Sequence, residues 1–212
     1  MWHHRPDFAS CRPNREVTFN GFARPAWFDL HALPPSDSER NCPPSYVQEQ
    51  ILSAIDHIST LIDAEIEKVG GRVILAGFSQ GSVIAIQTAL RGKGNIKVQG
   101  IAVLSGWMHD VVRLSEHLSH TPTEDGRGGG GAVAEEARSG VGMDRSRTAV
   151  FWGHGTADEE IPLSLGRDGV GWLQEVNRYV QVDFREYGGM GHMTCEAEMR
   201  DWKAWLSHLL NT

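Results

Sequence analysis

The chain has 212 residues, of which 40% are hydrophobic and 22% charged, as in an ordinary globular domain. Its formal net charge of −7, without any extended basic run, excludes a typical nucleic-acid-binding protein. No apolar stretch approaches the roughly 18 residues that a membrane-spanning helix needs. The cysteines form no C-x-x-C pair, and residues 1–7 lack the apolar core of a signal peptide. We therefore expect a cytoplasmic protein without a disulfide framework.

The N-terminal part of the chain is predicted to be largely irregular. Most of the nine prolines fall within residues 1–44, and prolines interrupt both helices and sheet interiors. A short strand is predicted at 16–19. Residues 45–69 have apolar side chains at helical spacing and predict a long amphipathic helix, with Ser45 as the candidate N-cap and Gly70-Gly71 at its end.

The next stretch combines a strand, a tight turn and a helix. Residues 72–76 form a short, mostly apolar stretch with two β-branched residues, and residues 82–90 read as a buried helix. Gly77-Phe78-Ser79-Gln80-Gly81 lies between them. G-x-S-x-G in this context predicts a nucleophile elbow, the strained turn that exposes a reactive serine at the end of a strand. Glycines on either side of that serine let the strand and helix backbones pass closely, because glycine has no Cβ.

Strands and helices continue to alternate along the rest of the chain. Further strands are predicted at 98–104, 148–152 and 180–187, and helices at about 163–178 and 196–210. This alternation indicates an α/β fold with a mostly parallel sheet flanked by helices, built as one domain over residues 1–212. The polar, glycine-rich residues 119–147 cannot form a core, so we expect a disordered surface insertion there.

Three candidate catalytic residues each follow a predicted strand. Ser79, Asp158 and His192 should therefore meet at one edge of a parallel sheet. A serine hydroxyl needs a base to take its proton, and neutral imidazole is the base best matched to pH 7. A buried carboxylate orients that imidazole and stabilises its cation. The order Ser, Asp, His along the chain is the order found in α/β-hydrolases.

Other reactive residues are weaker candidates. His154 precedes Asp158 closely and is expected to shape its loop. Cys195 follows the candidate base, but a cysteine nucleophile of this fold would stand in the elbow instead. His117 and His120 share a helix face without an evident third ligand, so no metal site is expected. Trp27 either lines the site or simply packs against the core, and the residues leave both possibilities open.

With these residues in view, the chain resembles the acyl-protein thioesterases of the phospholipase/carboxylesterase family, over roughly 14–118 and 148–210. The matching motifs are Pro-Ala-Trp-Phe-Asp at 25–29, Gly-Phe-Ser-Gln-Gly at 77–81, Leu-Ser-Gly-Trp at 104–107, His-Gly-Thr-Ala-Asp at 154–158 and Gly-Met-Gly-His at 189–192. The resemblance implies an α/β-hydrolase with Ser79 as nucleophile, Asp158 as orienting acid and His192 as base. It also implies that the backbone N–H of Gln80 lies in the oxyanion hole.

The same resemblance implies substrates and a departure from the family pattern. Family members cleave acyl thioesters on proteins, lysophospholipids or small carboxylic esters, without a cofactor. Their pattern begins with an apolar strand and a His-Gly-Leu-Gly loop that supplies a second oxyanion donor, and neither precedes Pro25 here. We therefore expect an N-terminally abbreviated sheet and lowered activity, since one lost donor typically costs about 10²–10³-fold in turnover. The alternative is an inactive relative that binds acyl chains or partner proteins.

Overall fold

The computed structural model describes residues 16–19, 22–41, 43–69, 73–91, 98–108, 148–176 and 180–211. In chain order the elements are β1 (Glu16–Phe19), β2 (Phe22–Pro25), α1 (Asp37–Asn41), α2 (Ser45–Val69), β3 (Val73–Phe78), α3 (Gln80–Arg91), β4 (Val98–Leu104), β5 (Ala149–Gly155), α4 (Leu163–Val176), β6 (Gln181–Tyr187) and α5 (Glu196–Asn211). The expected insertion at 119–147 and the histidines His117 and His120 lie outside the described residues. No helix in the described ranges has the length and hydropathy needed to cross a membrane.

The main sheet has four parallel strands in the order β3-β4-β5-β6. This confirms the α/β class predicted from the alternation of strands and helices. β1 and β2 pair with each other in a separate antiparallel sheet. In the described part of the chain, β3 therefore forms one edge of the main sheet.

Helices cover the two faces of the sheet differently. α2, α3 and α4 contribute to a core on one face, which includes Ile86, Val103 and Trp152, all fully buried. On the other face, Met199, Trp202 and Trp205 of α5 pack around the buried side chains of β4 and β5. Near-continuous apolar strands such as β4 fit this position between two helical layers.

Three local details differ from the predictions, and the first is the strand β2, which was not predicted. The carbonyl of Pro44 accepts the first helical hydrogen bond of α2, from the Gln48 amide at 3.1 Å, so Ser45 is the first helical residue and not the N-cap. Proline suits the cap because an amide there would lack an intrahelical partner. The short helix α1 was not predicted, although Ser36 and Glu39 form a capping box: each side chain accepts a hydrogen bond from the other's backbone amide, at 3.3 and 2.9 Å.

Candidate active site

The turn between β3 and α3 has the geometry of a nucleophile elbow. Ser79 adopts a φ of 52°, in the left-handed region that side chains disfavour. Its amide donates to the Leu104 carbonyl at 2.9 Å, and its carbonyl accepts from the Ser82 amide at 3.0 Å. A Cβ at Gly77 would lie 2.4 Å from the Gly81 carbonyl, so only glycine fits there. These contacts hold the strained turn and leave the serine side chain at the sheet edge.

The three predicted catalytic side chains form one hydrogen-bonded chain. His192 Nε2 lies 2.9 Å from Ser79 Oγ, and His192 Nδ1 lies 2.9 Å from Asp158 Oδ2. The Asp158 side chain is fully buried and that of His192 is 11% exposed. A buried carboxylate accepts from Nδ1–H, which leaves Nε2 to accept the serine proton. The arrangement can activate a hydroxyl for attack on a carbonyl carbon.

A second histidine supports the loop that carries Asp158. The Ile161 amide donates to Asp158 Oδ1 at 2.8 Å, and His154 Nε2 lies 2.8 Å from the Ile161 carbonyl. His154 is fully buried, and burial lowers its pKa below the ordinary value. Neutral His154 therefore donates from Nε2 to the carbonyl of Ile161. It shapes the loop, as the sequence predicted for it.

The loop that carries His192 is hydrogen-bonded to the loop that carries Asp158. The Ala157 amide donates to the Met190 carbonyl at 3.0 Å, and the Thr156 amide donates to the Tyr187 carbonyl at 3.0 Å. Gly189 has a φ of +73° and donates its amide to Thr156 Oγ1 at 2.9 Å. These bonds fix the base and its orienting carboxylate relative to each other.

Apolar side chains border the candidate site. The ring of Phe78 lies 4.9 Å from the imidazole of His192, between centroids, and is 39% exposed. Met193 is also exposed, and Trp27 is half-buried, with its indole nitrogen 3.5 Å from where a Cβ on Gly81 would stand. Trp27 thus both packs and lies beside the elbow. Phe78 was not among the residues predicted to line the site, although its position directly before the nucleophile is a signal that could have indicated it.

Gln80 uses its backbone and its side chain differently. As the first residue of α3, it has an amide that no helical carbonyl accepts, which suits the predicted oxyanion donor. Its side chain bonds to the backbone of Trp27 and Phe28, a contact that no sequence motif indicated. Cys195 is half-buried, three positions beyond His192. Within the described ranges, no group of three metal-ligating side chains occurs.

Known proteins resemble this chain in sequence and in fold. A family model described as phospholipase/carboxylesterase matches residues 8–125 and 132–210. Acyl-protein thioesterase 1 of Cryptococcus neoformans is 29% identical over 216 residues, covering 93% of this chain and 77% of the relative. Acyl-protein thioesterase 1 of Saccharomyces cerevisiae is 27% identical, covering 94% of this chain and 76% of the relative. The crystal structure of Arabidopsis thaliana SOBER1 matches with a TM-score of 0.67 at 26% identity, covering 96% of this chain and 82% of that one.

Proposed function

The chain belongs to the phospholipase/carboxylesterase family of hydrolases, and on that premise we propose that Ser79, His192 and Asp158 form a catalytic triad that hydrolyses acyl thioesters and carboxylic esters. The observation that carries the proposal is the continuous hydrogen-bonded chain from Ser79 Oγ through His192 to Asp158, with both distances at 2.9 Å. The chemistry needs no cofactor, because nucleophile, base and orienting acid are all side chains of this protein.

The first half of the proposed reaction transfers the acyl group to the enzyme. Ser79 Oγ attacks the substrate carbonyl carbon while His192 Nε2 accepts its proton. The negative charge that develops on the carbonyl oxygen is stabilised by the Gln80 amide and the N-terminal end of α3. The tetrahedral intermediate collapses, and the leaving thiol or alcohol takes the proton from His192. An acyl ester of Ser79 remains.

The second half regenerates the enzyme. His192 takes a proton from water, which attacks the acyl carbon, and the proton then passes to Ser79 Oγ as the carboxylic acid leaves. Asp158 stabilises the imidazolium in both halves through its bond to Nδ1.

The substrate class rests on the relatives and on the surroundings of the site. The similar proteins include acyl-protein thioesterases and probable carboxylesterases, so acylated proteins and small acyl esters are the proposed substrates. Phe78, whose ring contacts the imidazole of His192, exposes apolar surface at the site, which suits a fatty acyl group. The exposed Met193 directly follows His192 in the chain. Such a surface lowers the free energy of the bound acyl chain by removing it from water.

The proposal is tested by labelling with a fluorophosphonate probe, which reacts with serines that a working base has activated. We expect the wild-type chain to be labelled and Ser79→Ala to be unlabelled, with loss of hydrolysis of p-nitrophenyl esters and acyl thioesters by at least about 10³-fold. Ser164→Ala, which removes the hydroxyl of an exposed serine in α4, is the matched control and should retain labelling. A folded wild-type chain that is not labelled would contradict the proposal and favour the alternative of acyl-chain binding without turnover.

A further inference from the structure

Two glutamine side chains hold the segment of residues 27–29 from two different helices. Gln80 Oε1 accepts from the Trp27 amide at 2.6 Å, and Gln80 Nε2 donates to the Phe28 carbonyl at 2.6 Å. Gln50 of α2 accepts from the Asp29 amide at 2.8 Å and donates to Asp29 Oδ2 at 2.9 Å. Each carboxamide therefore uses both its donor and its acceptor on this segment.

The two glutamines differ in what else they do. Gln50 lies in the first half of the long helix α2 and is not part of the turn that carries Ser79. Gln80 directly follows Ser79, and its own backbone amide is the proposed oxyanion donor. Its side chain therefore joins the turn that carries the nucleophile to a segment more than fifty positions earlier in the chain. A carboxamide that pairs with one N–H and one C=O of consecutive residues restricts both rotation and translation of that backbone.

The segment that Gln80 holds reaches the elbow through Trp27. The indole lies against the Gly81 side of the turn, and Phe28 is fully buried in a core cluster with Trp107. Because Phe28 is packed in the core, the backbone to which the Gln80 carboxamide bonds is itself held in place. The residue that donates to the oxyanion is thus fixed by its own side chain as well as by the helix that it begins.

We propose that Gln80 is a positioning residue of the reaction. The hydrogen bonds of its side chain hold the Gln80 backbone amide and the neighbouring Trp27 indole in place relative to Ser79. The inference rests on the proposed function. The oxyanion exists only in the transition state and in the intermediates, so a displaced amide lowers kcat more than it raises KM. Displacements of about 1 Å in such a donor can cost up to about 10²-fold in rate.

The test compares three variants by ester kinetics. Gln80→Met keeps the length of the side chain and removes both hydrogen bonds, and we expect kcat to fall at least about tenfold with KM changed less than about twofold. Gln80→Glu keeps an acceptor for the Trp27 amide but sets a carboxylate oxygen against the Phe28 carbonyl, so it should be intermediate or equally impaired. Gln50→Met removes the neighbouring pair of bonds and should keep kcat within about twofold of wild type.

Amide hydrogen exchange supplies a readout that does not depend on activity. Exchange at Trp27 should rise in Gln80→Met, and exchange at Asp29 should rise in Gln50→Met. If both methionine variants lower kcat equally, or if Gln80→Met leaves kcat unchanged, the hydrogen bonds of the Gln80 side chain to residues 27–28 (the Gln80 clamp) are merely structural and the inference is wrong. A wild-type chain that fluorophosphonate does not label would instead contradict the proposed function, and the catalytic role of the clamp with it.

Discussion

Burial decides the roles of the ionisable residues near the site. Asp158 and His154 are both buried, yet Asp158 has hydrogen bonds from Ile161 and His192 that suit a carboxylate, whereas the surroundings of His154 favour a neutral ring. Glu198, at the start of α5, is a third buried ionisable residue and is fully buried. A Cβ at Gly153 would lie 2.2 Å from its Oε1, so the carboxyl group packs directly against the backbone of β5.

Glu198 is expected to make the stability of the protein depend on pH. Burial raises its pKa from 4.5 to about 7, against a smaller opposing effect of the Cys195 amide. The folded state therefore holds a proton that the unfolded state has released. The free energy of unfolding should fall as pH rises from about 4.5 to about 7, by up to about 3 kcal/mol, with no further loss from this group at higher pH.

Glu198→Gln, which cannot ionise, tests this prediction. We expect the free energy of unfolding of the variant not to fall in this way. Measured by urea denaturation, its stability relative to wild type should therefore increase between pH 5 and pH 8, roughly as the linkage relation predicts. Glu196→Gln, an exposed change in the same helical turn, is the control and should keep the wild-type slope. Parallel pH curves for wild type and Glu198→Gln would show that the carboxyl titrates alike in both states.

At the scale of elements, α5 attaches to the sheet through close packing on glycine. A Cβ at Gly100 of β4 would lie 2.5 Å from Leu209 Cδ2 and 2.9 Å from Trp205 Cη2, both in α5. The helix can lie this close to the strand because nothing projects between them. Cores at this density respond to a single added methyl group.

Gly100→Ala is therefore expected to destabilise the protein by about 1–3 kcal/mol through overpacking beneath α5. Gly171→Ala is the matched control, because a Cβ at that exposed position of α4 meets nothing within 4 Å. The control should raise the free energy of unfolding by roughly 0.5–1 kcal/mol, since alanine favours helix more than glycine does. Urea denaturation measures both, and changes of the same sign would refute the packing argument.

At the scale of the whole molecule, the two faces of β3 are covered unequally. Val73 and Leu75 pack against the core that α2 and α3 form, whereas Ala76 and Phe78 on the opposite face are exposed. β3 is also an edge strand of the sheet that the described residues form. Apolar edge strands tend to pair with other molecules unless charges interrupt them.

Ala76→Lys tests the consequence for association. A charge on the exposed face should reduce concentration-dependent association measured by light scattering, while labelling of Ser79 is retained because Ala76 is not among the reacting groups. Leu61→Lys, on an exposed position of α2, is the control for added charge alone and should have a smaller effect. Equal effects of both lysines would mean that net charge, and not the strand edge, governs association.

The sequence by itself determined the order of the elements from α2 onward, the elbow around Ser79 and the approach of Ser79, Asp158 and His192 to one sheet edge. Periodicity, glycine turns and strand ends are local signals, and the parallel sheet converts them into one site. The hydrogen bonds between the Gln80 side chain and residues 27–28, the packing of Glu198 on Gly153 and the tilted ring contact of Phe78 with His192 were decided only by the tertiary structure. Each pairs residues far apart in the chain, and such pairings follow from the packing of whole elements, which no local pattern encodes.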